Sequence, residues 1–589
     1  MINKYKMFHY LFGALISSGI LYISVSYLKC IKYKPKGYKK VSSKTVNHTN
    51  AINRDGFSMK KIPLDIDTIV IGSGIGGLTT AGLLSRVGQT VLVLEQHYIA
   101  GGSTHCFNDG SYEFDTGIHY VGNIRSRNKV LNLITKKKIR WMPLGYDNDM
   151  IYDNIVINDK YYKFRPGKET MCAYLSDIFP QERENIKKYI DLVQHISKSN
   201  LFFLAKIVKP EWLAKIITNY FCTEFKEYAN KSVKTVLNDF FKDDTLKAVL
   251  GGLSIDGGPP PASQSFFIHA SILNHFIEGG YYPIEGPGVF AKEIIPIIEK
   301  SGGRVLVRAP VSEILIKNDK AYGVIVKGKK IYAKNIVSGA GVRNTYLKLI
   351  SDSRYNTYFD TVFKNVPSRL SYNFLFVGLK GTAAELGLNS SNIYVWSKNS
   401  FDDVVTAYEQ DPFSGTHLPP IFIASSSAKD PDWINRYPDK STVCIISWSN
   451  TGMFNNNNKS RKRNDIVYEE NKKKVAKMMW DALFKHFPKC RNKVDFSSTG
   501  TSETVKHYLG SYEGECYGLD ATTERFKYME LKPRTNIENL FLTGQDIVTS
   551  GFAGAMTAGI LTASDILGYG TILDIISDRD IIKDITNLD

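Results

Sequence analysis

Apolar positions fall into two rhythms along this chain. Thr68-Ile69-Val70-Ile71 is a β-branched run and Thr90-Val91-Leu92-Val93-Leu94 an apolar run further along the chain, the pattern of strands buried on both faces. Between them LTTAGLLSRVG reads as a helix. Val289–Lys300 has helical spacing. Ala291, Ile294, Ile295 and Ile298 share one face, and Lys292, Glu293 and Lys300 are polar. Pro296 is expected to kink or shorten that helix, and Gly302-Gly303 ends it. Extended pieces follow at Arg304–Val307 and Val311–Ile314. A last strand, Asn539–Leu542, leads through Thr543-Gly544-Gln545-Asp546 into a glycine-rich helix start at Ser550–Met556. These elements predict an α/β fold.

Met7–Leu28 is a 22-residue stretch without formal charge. A helix of that length, at about 1.5 Å per residue, spans a bilayer core. The leading expectation is a membrane anchor; a cleaved signal segment and a buried helix are the alternatives. Six lysines follow between Lys29 and Lys40, which would place the main body on the cytosolic side. Residues 29–61 read as a basic tether.

Composition changes this picture in one respect. The 589 residues are 43% hydrophobic and 23% charged, enough for more than one folded domain. The net charge of +17 first points to nucleic acid or a membrane surface. Residues 1–61, however, hold 12 basic residues and one acid, Asp55. The remainder, with 63 basic against 57 acidic residues, carries only +6. No basic face on a folded domain is implied, so nucleic acid is not an expected partner. The cysteines at 30, 106, 172, 222, 444, 490 and 516 have no metal-ligand or redox spacing, so no metal site is expected.

The most specific chemistry lies between the first two strands. Gly72-Ser73-Gly74-Ile75-Gly76-Gly77 follows the first, a helix comes next, and Glu95 ends the second. This is the order of a dinucleotide-binding unit. Gly72 permits the tight turn, Gly74 lets backbone approach a pyrophosphate, and Gly77 lets helix and strand pack closely. Glu95 is placed to accept from ribose hydroxyls. An acid there favours FAD or NAD over NADP at this site.

After Glu95 the chain reads QHYIAGGSTHCFNDGSYEFDTGIHYVG, with the glycine pair Gly101-Gly102. With IGSGIGGLTTAGLLSRVGQTVLVLEQH, this resembles the phytoene desaturase-like flavoproteins. It is more closely similar to their retinol saturase and carotenoid isomerase branch. The likeness extends from about Asp67 to about Gly568, with weaker matches in the middle. It departs at Pro287, within Ile284–Gly288, and at the polar insertion Asn455–Asn464.

The resemblance implies a Rossmann-like FAD domain of the two-dinucleotide-binding type, drawn from 62–140, 281–350 and 505–570. A discontinuous α+β substrate domain would come from 141–280 and 351–504, with a tail at 571–589. It implies backbone at Val311 near the adenine end, Asp546 at the ribityl-phosphate part, and the helix start near Gly554 toward the isoalloxazine. The expected reaction acts on a carbon–carbon double bond of an apolar polyene or isoprenoid lipid. Cis–trans isomerisation, desaturation and lipid binding without turnover are the alternatives. NAD(P)H is a candidate electron donor, although no second complete dinucleotide fingerprint is present. The proton donor is not visible in the sequence; His119, Tyr120, His269 and Tyr517 are weak candidates because they lie inside or beside the matching segments, and a structural role is the expectation for each. With the hydrophobic N-terminus, the resemblance implies membrane association, at the endoplasmic reticulum. Oligomeric state stays open.

The intervening segments are rich in aromatics, among them Phe202-Phe203, Tyr220-Phe221, Phe240-Phe241, Phe266-Phe267, Tyr372, Phe374, Phe376, Tyr394 and Trp396. Core packing is the expectation for each singly; together they could line an apolar tunnel. Asn200–Ile217 is expected to break at Pro210 and to pack in the core, with membrane contact as the alternative.

Overall fold

The two buried runs form the centre of a five-stranded parallel sheet. Its order is Arg304–Leu306, Val91–Leu94, Thr68–Ile71, Asn335–Ser338, Leu540–Leu542. The computed structural model describes residues 52–136, 138–454 and 465–568. Thr68–Ile71 and Val91–Leu94 are buried throughout, because helices cover the sheet. Ile75–Arg86 packs against both Gly551–Leu567 and Val289–Lys300. The last of these continues through Pro296 to Lys300, so the expected shortening does not occur. Its apolar face, including Ile294, Ile295 and Ile298, is buried.

A second, seven-stranded sheet lies in the order Val494–Gly500, Leu370–Lys380, Lys440–Asn450, Ile421–Ala424, Asn392–Trp396, Asp153–Ile157, Lys160–Phe164. It is antiparallel except where Asn392–Trp396 pairs in parallel with Asp153–Ile157. Helices from 168 to 276 pack beside it, and one extended apolar core joins these elements to the first sheet. Asn200–Ala205 and Glu211–Tyr220 are separate helices, with Pro210 at the break. Proline fits just ahead of a helix, where its missing N–H is not needed.

Two expectations require correction. Residues 52–61 do not behave as a free tether. Asp55 O accepts from Val307 N at 2.8 Å, Phe57 N donates to Val307 O at 2.9 Å, and Lys61 pairs with Asp55. The other correction concerns location at a membrane. Among the described residues no helix is long and apolar enough to cross one. The longest, Ile466–His486, carries Glu469, Glu470 and Lys472 to Lys474 within its span. The segment 7–28, the insertion 455–464 and the tail 571–589 lie outside the described residues.

Candidate functional site

At the carboxyl ends of the parallel strands, where chain connections diverge to either side, a cavity of about 1290 Å³ opens. This is the position where open α/β sheets bind ligands. One part of the cavity is a slot lined by Gly72, Gly74, Gly76, Gly77, Glu95, Gly102, Val311, Gly544, Asp546 and Gly554. The remainder is a chamber that includes Phe203, Phe267, Phe276, Tyr372, Phe374 and Phe422.

The slot is built by close backbone packing. Gly72 has φ +91°, a conformation that L side chains rarely adopt. A Cβ on Gly77 would overlap the carbonyl oxygen of Gly72. Gly74 differs: its φ is −59°, and a Cβ there would meet nothing within 4 Å. Gly544 and Gly551 likewise face open space. A Cβ on Gly554 would overlap the Thr549 carbonyl. The open glycine at this helix start is therefore Gly551 rather than Gly554.

Glu95 is held on both oxygens. Oε2 accepts from Ser73 N at 2.9 Å and Ser73 Oγ at 2.6 Å; Oε1 accepts from His97 N at 2.8 Å. Ser73 Oγ also accepts from Gly101 N at 2.9 Å. Gly101 thus supports the slot from behind and does not line it, while Gly102 does. The Asp546 carboxylate accepts from Val342 N and from Leu519 N, each at 2.8 Å. Buried Arg525 donates to Leu519 O at 2.6 Å and to Gln545 O, tying together the loops on either side of Asp546.

The four candidate proton donors separate. His119, Tyr120 and Tyr517 line the cavity; His269 does not. His269 is fully buried, with Nε2 at 2.8 Å from Tyr189 Oη. Burial pushes its pKa down to about 4, so it serves as a neutral core residue. His119 is 7% exposed, and neither ring nitrogen has a hydrogen-bond partner. Burial, reinforced by the nearby Lys429 ammonium, pushes it down to about 3. Tyr517 packs edge-on to Tyr372, with ring centroids 5.9 Å apart. Tyr120 joins a polar cluster that the sequence reading missed. Its hydroxyl lies 2.6 Å from Tyr394 Oη and 3.2 Å from both Asp153 Oδ2 and Asp256 Oδ2. Asp153 is pushed up to about 7 and Asp256 to about 6, in each case chiefly by burial.

Of the paired aromatics, Phe203 and Phe267 reach the cavity, while Phe202 and Phe266 are buried in the core. Tyr220 and Phe221 are exposed. No group of His, Cys, Asp and Glu among the described residues could hold a metal ion.

The glycine turn, Glu95 and a second glycine-rich helix start, gathered around one crevice, are the arrangement of a dinucleotide-binding α/β fold. Over residues 75–567 the chain matches the family described as flavin containing amine oxidoreductase, and it belongs to that family. It is 34% identical to all-trans-retinol 13,14-reductase of Danio rerio over 551 residues, 90% of each chain. It is 30% identical to the inactive all-trans-retinol 13,14-reductase of the same organism, again over 90% of each chain. It is 26% identical to prolycopene isomerase 2, chloroplastic, of an Oncidium hybrid cultivar, covering 86% of this chain and 85% of that one. The fold matches cyclohexylamine oxidase from Brevibacterium oxydans IH-35A, with TM-score 0.55 and 14% identity over 88% of this chain and 100% of that one. The protein is therefore a member of a FAD oxidoreductase family, related to enzymes named for retinol and prolycopene.

Proposed function

We propose that this chain binds FAD and reduces a carbon–carbon double bond of a retinoid- or carotenoid-like polyene. The observation that carries the reading is the continuity of one cavity from the glycine-lined slot to the aromatic chamber. The open space before Gly74, Gly544 and Gly551 fits a dinucleotide lying against backbone. In this reading Gly72, Gly74 and Gly77 hold the pyrophosphate turn and Glu95 takes the adenosine ribose. Gly102 and Val311 flank the adenosine half, with Gly101 behind. Gly544 and Asp546 follow the ribityl chain, and the helix start from Gly551 to Gly554 faces the ring. When bound, FAD supplies the hydride chemistry. The helix start favours negative charge beside it. The chamber's aromatic walls hold an extended apolar chain in register and exclude water.

The higher identity to retinol reductases than to prolycopene isomerases favours reduction. The isomerase likeness supports a second reading, cis–trans isomerisation in the same chamber. NAD(P)H is the physiological electron donor to try first. The test is anaerobic mixing of dithionite-reduced, FAD-loaded protein with all-trans-retinol and, separately, a carotene. Reduction returns the oxidised flavin spectrum in step with loss of polyene absorbance. A shifted polyene spectrum over unchanged flavin supports the isomerase instead, and no change in either contradicts both.

A further inference from the structure

The chamber wall contains more oxygen–oxygen contacts than its phenols can fill. Asp256, on the short helix Ser254–Gly257, and Tyr120 both line the cavity and are partly exposed to it. Behind them, fully buried, lie Tyr394 and Asp153 from adjacent strands of the seven-stranded sheet. Four contacts link these groups: Tyr120 to Tyr394 at 2.6 Å, Tyr394 to Asp256 at 2.8 Å, and Tyr120 to Asp256 and to Asp153 at 3.2 Å each. Two phenols bring two hydrogens. Asp153 Oδ1 is already satisfied by Asn392 Nδ2 at 2.8 Å. A hydrogen carried by a carboxyl fills a contact that would otherwise set two acceptor oxygens against each other.

Charge balance points the same way. Lys429 Nζ donates to Asn392 Oδ1 at 2.6 Å and to His119 O at 2.9 Å. It is the ammonium that faces Asp153 and the nearby Asp115. Asp115 accepts from Tyr282 and Ser426 hydroxyls. One buried ammonium facing Asp115 and Asp153, with Asp256 adding its charge beside Asp153, leaves part of the acid charge uncompensated, and burial then favours the neutral acid.

We propose that Asp256, protonated, is the acid that delivers a proton to the polyene, and that Tyr120 and Tyr394 connect it to a reserve at Asp153. This rests on the reductase reading above. The step balances: a hydride from the reduced flavin of that reading adds to one alkene carbon, and the π pair takes the proton at its neighbour. The Asp256 O–H bond breaks as the new C–H bond forms. The carboxylate left behind is reprotonated through Tyr120 from Asp153, and the cluster regains its proton from water at the cavity face, where Asp256 and Tyr120 are partly exposed. Two hydrogens are gained, and no other oxidant or reductant is needed. Asp256 and Tyr120 act at the cavity; Tyr394 and Asp153 are positioning residues behind them.

The test compares wild type with Asp256→Asn, Asp256→Glu and Tyr120→Phe, all checked for FAD content and thermal melting. Infrared spectra of the flavin-free protein in H₂O and D₂O read the protonated carboxyl directly. Wild type is expected to show such a band, shifted by D₂O and lost in Asp256→Asn. In anaerobic single turnover with all-trans-retinol, Asp256→Asn is expected to slow transfer to the polyene about 10²–10⁴-fold, the usual contribution of a general acid. Dithionite reduction of the bound flavin should stay unchanged. Asp256→Glu should restore part of the rate and the solvent deuterium isotope effect. Asp256→Asn transferring within about threefold of wild type at equal FAD content overturns the proposal. A wild type that reduces no polyene refutes the reductase reading instead. The infrared band then decides on the stored proton: its loss in Asp256→Asn upholds it, and its absence from wild type overturns it.

Discussion

Ser73 donates both its backbone N–H and its hydroxyl to the same Glu95 oxygen, at 2.9 and 2.6 Å. The variable second position of the glycine turn thereby fixes the acid at the end of the next strand. The same hydroxyl accepts from Gly101 N, so three separate pieces of the slot meet on one side chain. Ser73→Ala should destabilise the fold by about 2 kcal/mol, through loss of a charge-assisted hydrogen bond and an unsatisfied buried N–H. It should also weaken FAD retention. Thermal melting and flavin content after gel filtration read both, and wild-type values in each would show that Glu95 needs no such support.

Gly74 and Gly77 should respond in opposite ways. A side chain at Gly74 projects into open space at an ordinary φ, so Gly74→Val should fold with a near-normal melting profile and yet lack the yellow flavin spectrum. A side chain at Gly77 overlaps the Gly72 carbonyl, so Gly77→Val should fail at folding itself, well before cofactor binding. Circular dichroism and bound flavin separate the two. Stoichiometric FAD in Gly74→Val would remove the pyrophosphate from this turn.

Asp153 makes a pH prediction with a definite sign. Its folded pKa is raised from 3.8 to about 7, first by burial, with Asp256 adding and Asn392, Tyr120 and Lys429 opposing. The folded state thus binds more protons than the unfolded chain across that interval. The contribution of this group is fully present below about pH 4 and is lost as pH rises through 7. Relative to wild type, Asp153→Asn should gain in melting temperature between pH 5 and pH 8. A difference that is flat or falls over that range contradicts the assignment. The neutral histidines run the other way. His105, His119 and His269 have pKa values lowered by burial, so they cost stability as pH falls below about 6.5. The variant-minus-wild-type comparison cancels them.

The parallel sheet around Thr68–Ile71 was legible because each strand is buried on both faces and so reads as an unbroken apolar run. The glycine turn was legible because backbone crowding admits no other residue at Gly77. Pairing across the second sheet was not: Asp153–Ile157 lies beside Asn392–Trp396, and nothing local in either segment encodes the partner. The same distance in sequence hid the acid cluster. Asp153, Asp256 and Lys429 lie far apart in the chain in unrelated contexts, and only the fold brings them together. His269 could not be placed from sequence for the converse reason, since a histidine in an apolar helix looks alike whether it faces a cavity or, as here, Tyr189. The 52–61 segment read as tether because its hydrogen bonds to Val307 are made by backbone, which leaves no side-chain signature.

The central claim is that the slot and the chamber work as one reductive site. Its most direct test is the mass of the polyene recovered after incubation with FAD-loaded protein and a reductant. A gain of two hydrogens, absent with Gly74→Val, is the predicted result. Recovery of the polyene at unchanged mass, whether isomerised or intact, would contradict it.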